Sequence, residues 1–77
     1  MASMVYFKKL SEQSDSICYS FGEDPEHMTR RLTMQTKTRT SMPDDDRIDY
    51  AYLTASRKIN SVFEERKQWP ERGMSVS

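Results

Sequence analysis

The chain is 77 residues long and carries 12 basic and 12 acidic side chains, so it has no formal net charge. That length and balance exclude a two-domain enzyme and a polybasic tail. No stretch approaches the roughly 20 apolar residues of a membrane helix, and the single Cys18 excludes an internal disulfide scaffold.

Ile, Val, Leu and Phe number three each, so the core is thin even with four Tyr, one Trp and six Met added. Residues 4–10, Met-Val-Tyr-Phe-Lys-Lys-Leu, are β-branched and aromatic and predict a strand. The polar stretch from Ser11 to Asp15 reads as a turn. Residues 16–21 set Ile17, Tyr19 and Phe21 at period two between Ser16, Cys18 and Ser20, the pattern of a strand with one buried face. Gly22 to Glu26, with Pro25 inside, breaks it.

The longest alternating run is Met28 to Thr40. One face carries Leu32, Met34, Thr36 and Thr38, and the other Arg31, Thr33, Gln35, Lys37 and Arg39. Its branched threonines favour extended chain, so the run predicts one strand that frays near Thr38. Short links then make an antiparallel meander.

Pro43 with Asp44, Asp45 and Asp46 is a helix-start signature, since acids suit the positive end of the helix dipole. Beyond it Ile48, Tyr52, Ala55, Ile59, Val62 and Arg66 recur at helical spacing, flanked by Ala51, Phe63 and Trp69. Pro70 disfavours helical geometry at Trp69, so the helix ends near Gln68. About 22 residues make it roughly 33 Å long. The tail after Gly73 is short and polar, and mobility is expected for residues 1–3 and 74–77.

These periods predict a two-layer α+β domain spanning residues 1–77: a three-stranded antiparallel β-meander packed against one long C-terminal helix. Ile17, Tyr19, Phe21, Leu32 and Met34 need a cover, and the helix stripe is the large apolar surface available.

The segments Phe21-Gly22-Glu23-Asp24-Pro25, Arg30-Arg31-Leu32 and Trp69-Pro70-Glu71-Arg72-Gly73 resemble a group of small uncharacterised actinobacterial proteins. That group has a strand–Gly-x-Asp-Pro turn, an Arg-Arg-Leu strand and a C-terminal Trp-Pro-x-x-Gly. The resemblance implies one domain and an intracellular setting, and it carries no activity, ligand or site residue.

Chemistry-bearing constellations are sparse. His27 crowds into one turn with Glu23, Asp24 and Glu26, whereas a metal site needs ligands converging from a rigid frame. Asp44, Asp45 and Asp46 point in different directions and lack the Gly and Glu positions of a calcium loop. Cys18 and His27 lie on opposite sides of a predicted turn, not as a nucleophile beside its base. With only Gly22 and Gly73, no phosphate-cradling loop exists. The expectation is therefore no enzyme, with no catalytic residue, metal, cofactor or small-molecule ligand.

Two surface readings remain. Tyr50 and Leu53 fall on the outward side of the helix, and Trp69 is an aromatic flanked by charge. A thin core and a two-sided helix point to a protein-binding or self-assembling module, a homo-oligomer or a complex with another protein, that meets its partner through Tyr50, Leu53 and Trp69. The alternative is a small nucleic-acid-binding regulator that uses Arg31, Lys37 and Arg39 on the outer sheet face. The lone Cys18, with no internal partner, points to a reducing cytoplasm. Met1 to Leu10 lacks the apolar run of a secretory leader, and no membrane partner is expected.

Overall fold

The computed structural model describes residues 4–76. Five strands and one helix follow in chain order. They are β1 (Met4–Glu12), β2 (Ser16–Gly22), β3 (Arg30–Gln35), β4 (Thr40–Pro43), α1 (Tyr50–Arg66) and β5 (Arg72–Val76). The strands form one antiparallel sheet in the order β4-β3-β2-β1-β5. The α+β class, the antiparallel sheet and the two-layer arrangement agree with the sequence reading. No helix among the described residues is long and apolar enough to cross a membrane.

The number of strands does not agree, and two corrections account for it. The run from Met28 to Thr40 is not one strand. Its pairing with β2 ends at Gln35, residues 36–39 turn, and β4 returns against β3 with Leu32 opposite Pro43 and Gln35 opposite Thr40. The Arg39 N–H donates to the Gln35 carbonyl at 2.8 Å, with Arg39 itself at φ 60°. Left-handed backbone at an arginine carries no Gly or Asn signature, so the reversal is hidden among threonines that suit a strand equally well.

The second correction concerns the tail. Residues 74–76, expected to be mobile, belong to β5, which pairs along β1 from Arg72 opposite Lys8 to Val76 opposite Met4. Residues 1–3 and 77 lie outside the described residues.

The helix is shorter than predicted at both ends. Asp49 caps it, accepting from the Tyr52 N–H at 3.1 Å, so the acidic run at 44–46 is not its start. Those residues form a turn in which Asp46 takes φ 59° and donates its N–H to the Pro43 carbonyl. Ile48 therefore precedes the helix and stands 64% exposed instead of buried. At the other end Lys67 adopts the left-handed conformation and its N–H closes on the Phe63 carbonyl at 2.7 Å. The 17 helical residues span about 25 Å.

The core is what the two periodicities imply. Ile17, Tyr19, Phe21, Leu32 and Met34 are all fully buried and are joined by Val5 and Phe7 from β1. Ala51, Tyr52, Ala55 and Ile59 of α1 cover them. Aromatic edges lock this face, with Phe7 set edge-on to Tyr19 at 5.9 Å and Phe21 tilted against Tyr52 at 6.3 Å. Polar atoms are also paired: the Tyr52 hydroxyl donates to the Ser41 carbonyl at 2.7 Å, and Ser41 Oγ sits 2.7 Å from Ser56 Oγ, tying β4 to α1. The helix covers one side of the sheet, and among the described residues the opposite side has no second layer.

Candidate protein-contact surface

Alternation and register determine what the uncovered side carries. Opposed residues share a face. The row Val76–Met4 is followed by Met74–Tyr6–Gly22, and then by Arg72–Lys8–Ser20–Arg31 across four strands. Beyond that lie Cys18, Thr33 and Met42. One corner of the face is thus apolar, built from Met4, Tyr6, Met74 and Val76, and it abuts a basic row. Val76 is 59% exposed there. The loop after β2 borders this corner: Tyr6, Pro25, Met28 and Met74 line a groove of about 400 Å³, with Lys8 and Arg72 also on its wall.

The predicted contact residues divide between two places. Tyr50 and Leu53 are 52% and 39% exposed in the first turn of α1. Tyr50 also lines a groove of about 310 Å³ between the helix and β5, together with Thr54, Arg57, Lys58, Ser61 and Ser75. Trp69 lies at the far end of the rod. Its ring stacks on Phe63, with centroids 4.2 Å apart and planes inclined by 15°, and packs against the core. It is half-buried and lines a concavity of about 650 Å³, with Val62, Arg66 and Pro70 among its neighbours. A helix length separates it from Tyr50, so the three residues do not make one patch.

The basic trio does not share one face. Arg31 stays on the outer face, but Lys37 sits in the 36–39 turn and Arg39 folds back onto the helix side. There Arg39 Nε donates to Asn60 Oδ1 at 3.4 Å, its guanidinium stands 5.6 Å from the centre of the Phe63 ring, and Glu64 lies 3.7 Å away. The correction follows from β3 ending at Gln35, because the alternation that would have aligned the three residues stops there. Lys8 and Arg72 take the places expected for Lys37 and Arg39. Sequence reasoning missed them because their alignment with Arg31 depends on β5 pairing with β1.

Among the described residues no hydrogen bond joins Cys18 to His27. Cys18 is partly exposed on the outer face, and burial together with the nearby charge of Asp44 pushes its thiol pKa up despite Arg31. A raised thiol is a poor nucleophile at neutral pH. His27 is an exposed loop residue whose Nδ1 lies 3.3 Å from Asp24 Oδ2. The Tyr19 hydroxyl, its pKa raised by burial, donates to the Pro70 carbonyl at 2.7 Å and holds the link between α1 and β5. Beside it, Lys9 bridges Glu12 at 2.7 Å and Glu71 at 3.0 Å, and those bonds raise its pKa. No group of three or more His, Cys, Asp or Glu among the described residues is arranged to hold a metal ion.

What the arrangement offers chemically is contact: an open strand edge at β5, an apolar corner beside it, and a shallow groove between that strand and the helix. Compared with protein-family models, curated proteins and solved structures, the chain has no match.

Proposed function

We propose that this chain is a non-catalytic binding module that works by docking another polypeptide, either a partner protein or a second copy of itself. The observation that carries the reading is β5, an edge strand whose Met74 and Val76 stand exposed next to Met4. Monomeric proteins protect such edges because a free strand recruits another, and exposed apolar clusters mark contact sites. Tyr50 lines the groove between α1 and β5, Trp69 borders the start of β5 beside Arg72, and Leu53 is exposed in the same helical turn as Tyr50. Aromatic residues are frequent anchors in protein interfaces.

Sedimentation across a wide concentration range tests the self-assembling form. A mass of twice 9.1 kDa that reverts to the monomer in Val76→Lys supports it. A monomer at every concentration removes self-assembly and leaves the partner-binding form.

A second reading is nucleic-acid binding by the outer face, favoured by the row Arg72, Lys8 and Arg31. Backbone phosphates are recognised chiefly by such cations and the affinity falls steeply with salt. A shift assay with duplex and single-stranded oligonucleotides at low and moderate salt decides it: no retardation at low salt rejects this reading.

A further inference from the structure

The hydrogen-bond phase of β5 determines which of its backbone groups are free. The Lys9 N–H donates to the Glu71 carbonyl at 2.6 Å, and Phe7–Gly73 and Val5–Ser75 follow at steps of two along the same register. In an antiparallel pair these alternate residues exchange the ladder bonds. Arg72, Met74 and Val76 accordingly direct their N–H and C=O groups away from β1, toward the open edge. No bulge or proline interrupts β5 to discourage pairing there.

The helix side of that edge is a groove with one sign of charge. Among the described residues its charged lining is Arg57 and Lys58, beside Tyr50, Thr54, Ser61 and Ser75. Among the described residues, neither has a carboxylate within ion-pair distance, and the same holds for Lys8 and Arg72 on the other side of the strand. By contrast Glu12, Glu71, Asp45, Asp49 and Glu64 are each held by a cation. A chain with no net charge thus presents positive charge along both sides of its free strand. Two copies of β5 laid side by side would set these cations against their own kind, a like-charge juxtaposition that disfavours self-pairing at this edge.

We infer that the β5–α1 groove takes an extended acidic segment of another protein, which adds as a sixth strand alongside β5. Main-chain bonds to Arg72, Met74 and Val76 supply the pairing, and alternate side chains supply the selection. The set on the helix side meets Tyr50 and Thr54 and carries the carboxylates that reach Arg57 and Lys58, and the alternate set lies on the outer face beside Lys8 and Arg72. The inference rests on the protein-binding reading above and specifies the partner's chemistry.

The test is fluorescence anisotropy with a capped, labelled heptapeptide alternating Glu and Val, against the full chain at low and moderate salt. Saturable binding is expected, weakened about tenfold or more in the double variant Arg57→Glu/Lys58→Glu, as for charged pairs across an interface. Binding is also expected to disappear when the peptide's alternate amides are N-methylated, a change made on the peptide that leaves the protein's fold untouched. Met74→Pro, which removes an edge N–H not bonded to β1, gives the complementary loss from the protein side. Three results overturn the inference: no binding of the acidic peptide, equal binding of the N-methylated peptide, or displacement of the peptide by a single-stranded oligonucleotide at lower concentration. Sedimentation of the same samples separates the two levels. A dimer that ignores the peptide refutes acidic strand addition alone, whereas a monomer that ignores it also removes the main support for the binding reading.

Discussion

Arg30 Nη1 donates to both carboxylate oxygens of Asp49, at 2.7 and 2.8 Å, while that carboxylate caps the first turn of α1. The same guanidinium holds Asp45 through Nε at 2.9 Å and Nη2 at 3.1 Å, and it lies 4.7 Å from the centre of the Phe21 ring. One arginine on β3 thereby fastens the irregular 44–49 segment and the start of the helix to the sheet. Arg30 is 16% exposed, so its ion pairs are partly shielded from water. Charge-assisted bonds of this kind contribute more than neutral ones, and Arg30→Ala is expected to cost about 2 kcal/mol in urea unfolding. A loss below about 0.5 kcal/mol, the size of an exposed pair, would contradict this role.

The same cluster predicts an acid limb in stability. Arg30 and the Tyr52 N–H hold Asp49 well below the usual carboxylate range, and Arg30 with the Arg47 N–H lowers Asp45. Because both pKa values are depressed on folding, their stabilisation is complete above the unfolded carboxylate value of about 4. It is lost as pH falls below that value toward the folded ones. The melting temperature should hold steady from pH 7 to 5 and drop between pH 4 and 2. Asp49→Asn keeps a capping side chain but no charge, so its curve should start lower and fall less steeply. Parallel acid limbs for the two proteins would refute the assignment.

Tyr19 offers a separate test of the link that delivers the chain from α1 to β5. Its ring is fully buried and its hydroxyl reaches the Pro70 carbonyl at 2.7 Å. Tyr19→Phe preserves the packing against Phe7 and removes one bond across 51 residues of sequence. The expected cost is about 1 kcal/mol. Hydrogen exchange should report faster amides at Lys9 and Gly73, whose N–H groups bond across the β1–β5 junction, with little change in β2 and β3. Uniform acceleration throughout the sheet would instead mean that the bond stabilises the fold globally.

The core face was legible because its signal is local. Ile17, Tyr19 and Phe21 alternate without interruption, and Tyr52, Ala55 and Ile59 keep helical spacing, so burial and class could be read before any tertiary contact was known. The missed strands have no such signal. At β4 the turn relies on left-handed Arg39, and at β5 Gly73 and Ser75 face the core side without apolar bulk. Asp49 was overlooked as the helix cap because three earlier aspartates carry the same chemical signature, and only the contact with Arg30 distinguishes it. The candidate site was legible in part: Tyr50 and Leu53 are exposed where helical angles put them, but the edge that Tyr50 borders exists only once β5 pairs with β1.

That pairing depends on a close approach which a substitution can probe. Gly73 lies opposite Phe7, and a Cβ on it would stand 2.7 Å from Phe7 Cζ, inside van der Waals contact. Phe7 is 2% exposed and wedged edge-on to Tyr19, so its ring has little room to retreat. Overpacking of this kind typically costs 1–3 kcal/mol, and Gly73→Val is expected to fall in the range of about 1–3 kcal/mol. The strain should appear as detachment of the edge before global unfolding, since β5 pairs with one strand, β1. Amide protection would then fall at Gly73 and Ser75, whose N–H groups face β1, while the β2–β3 ladder stays protected. Shortening the ring with Phe7→Leu in the Gly73→Val background should restore part of that protection. Full protection at Gly73 and Ser75 in Gly73→Val alone would show that the ring yields freely, and that the glycine is not what allows β5 to close the sheet.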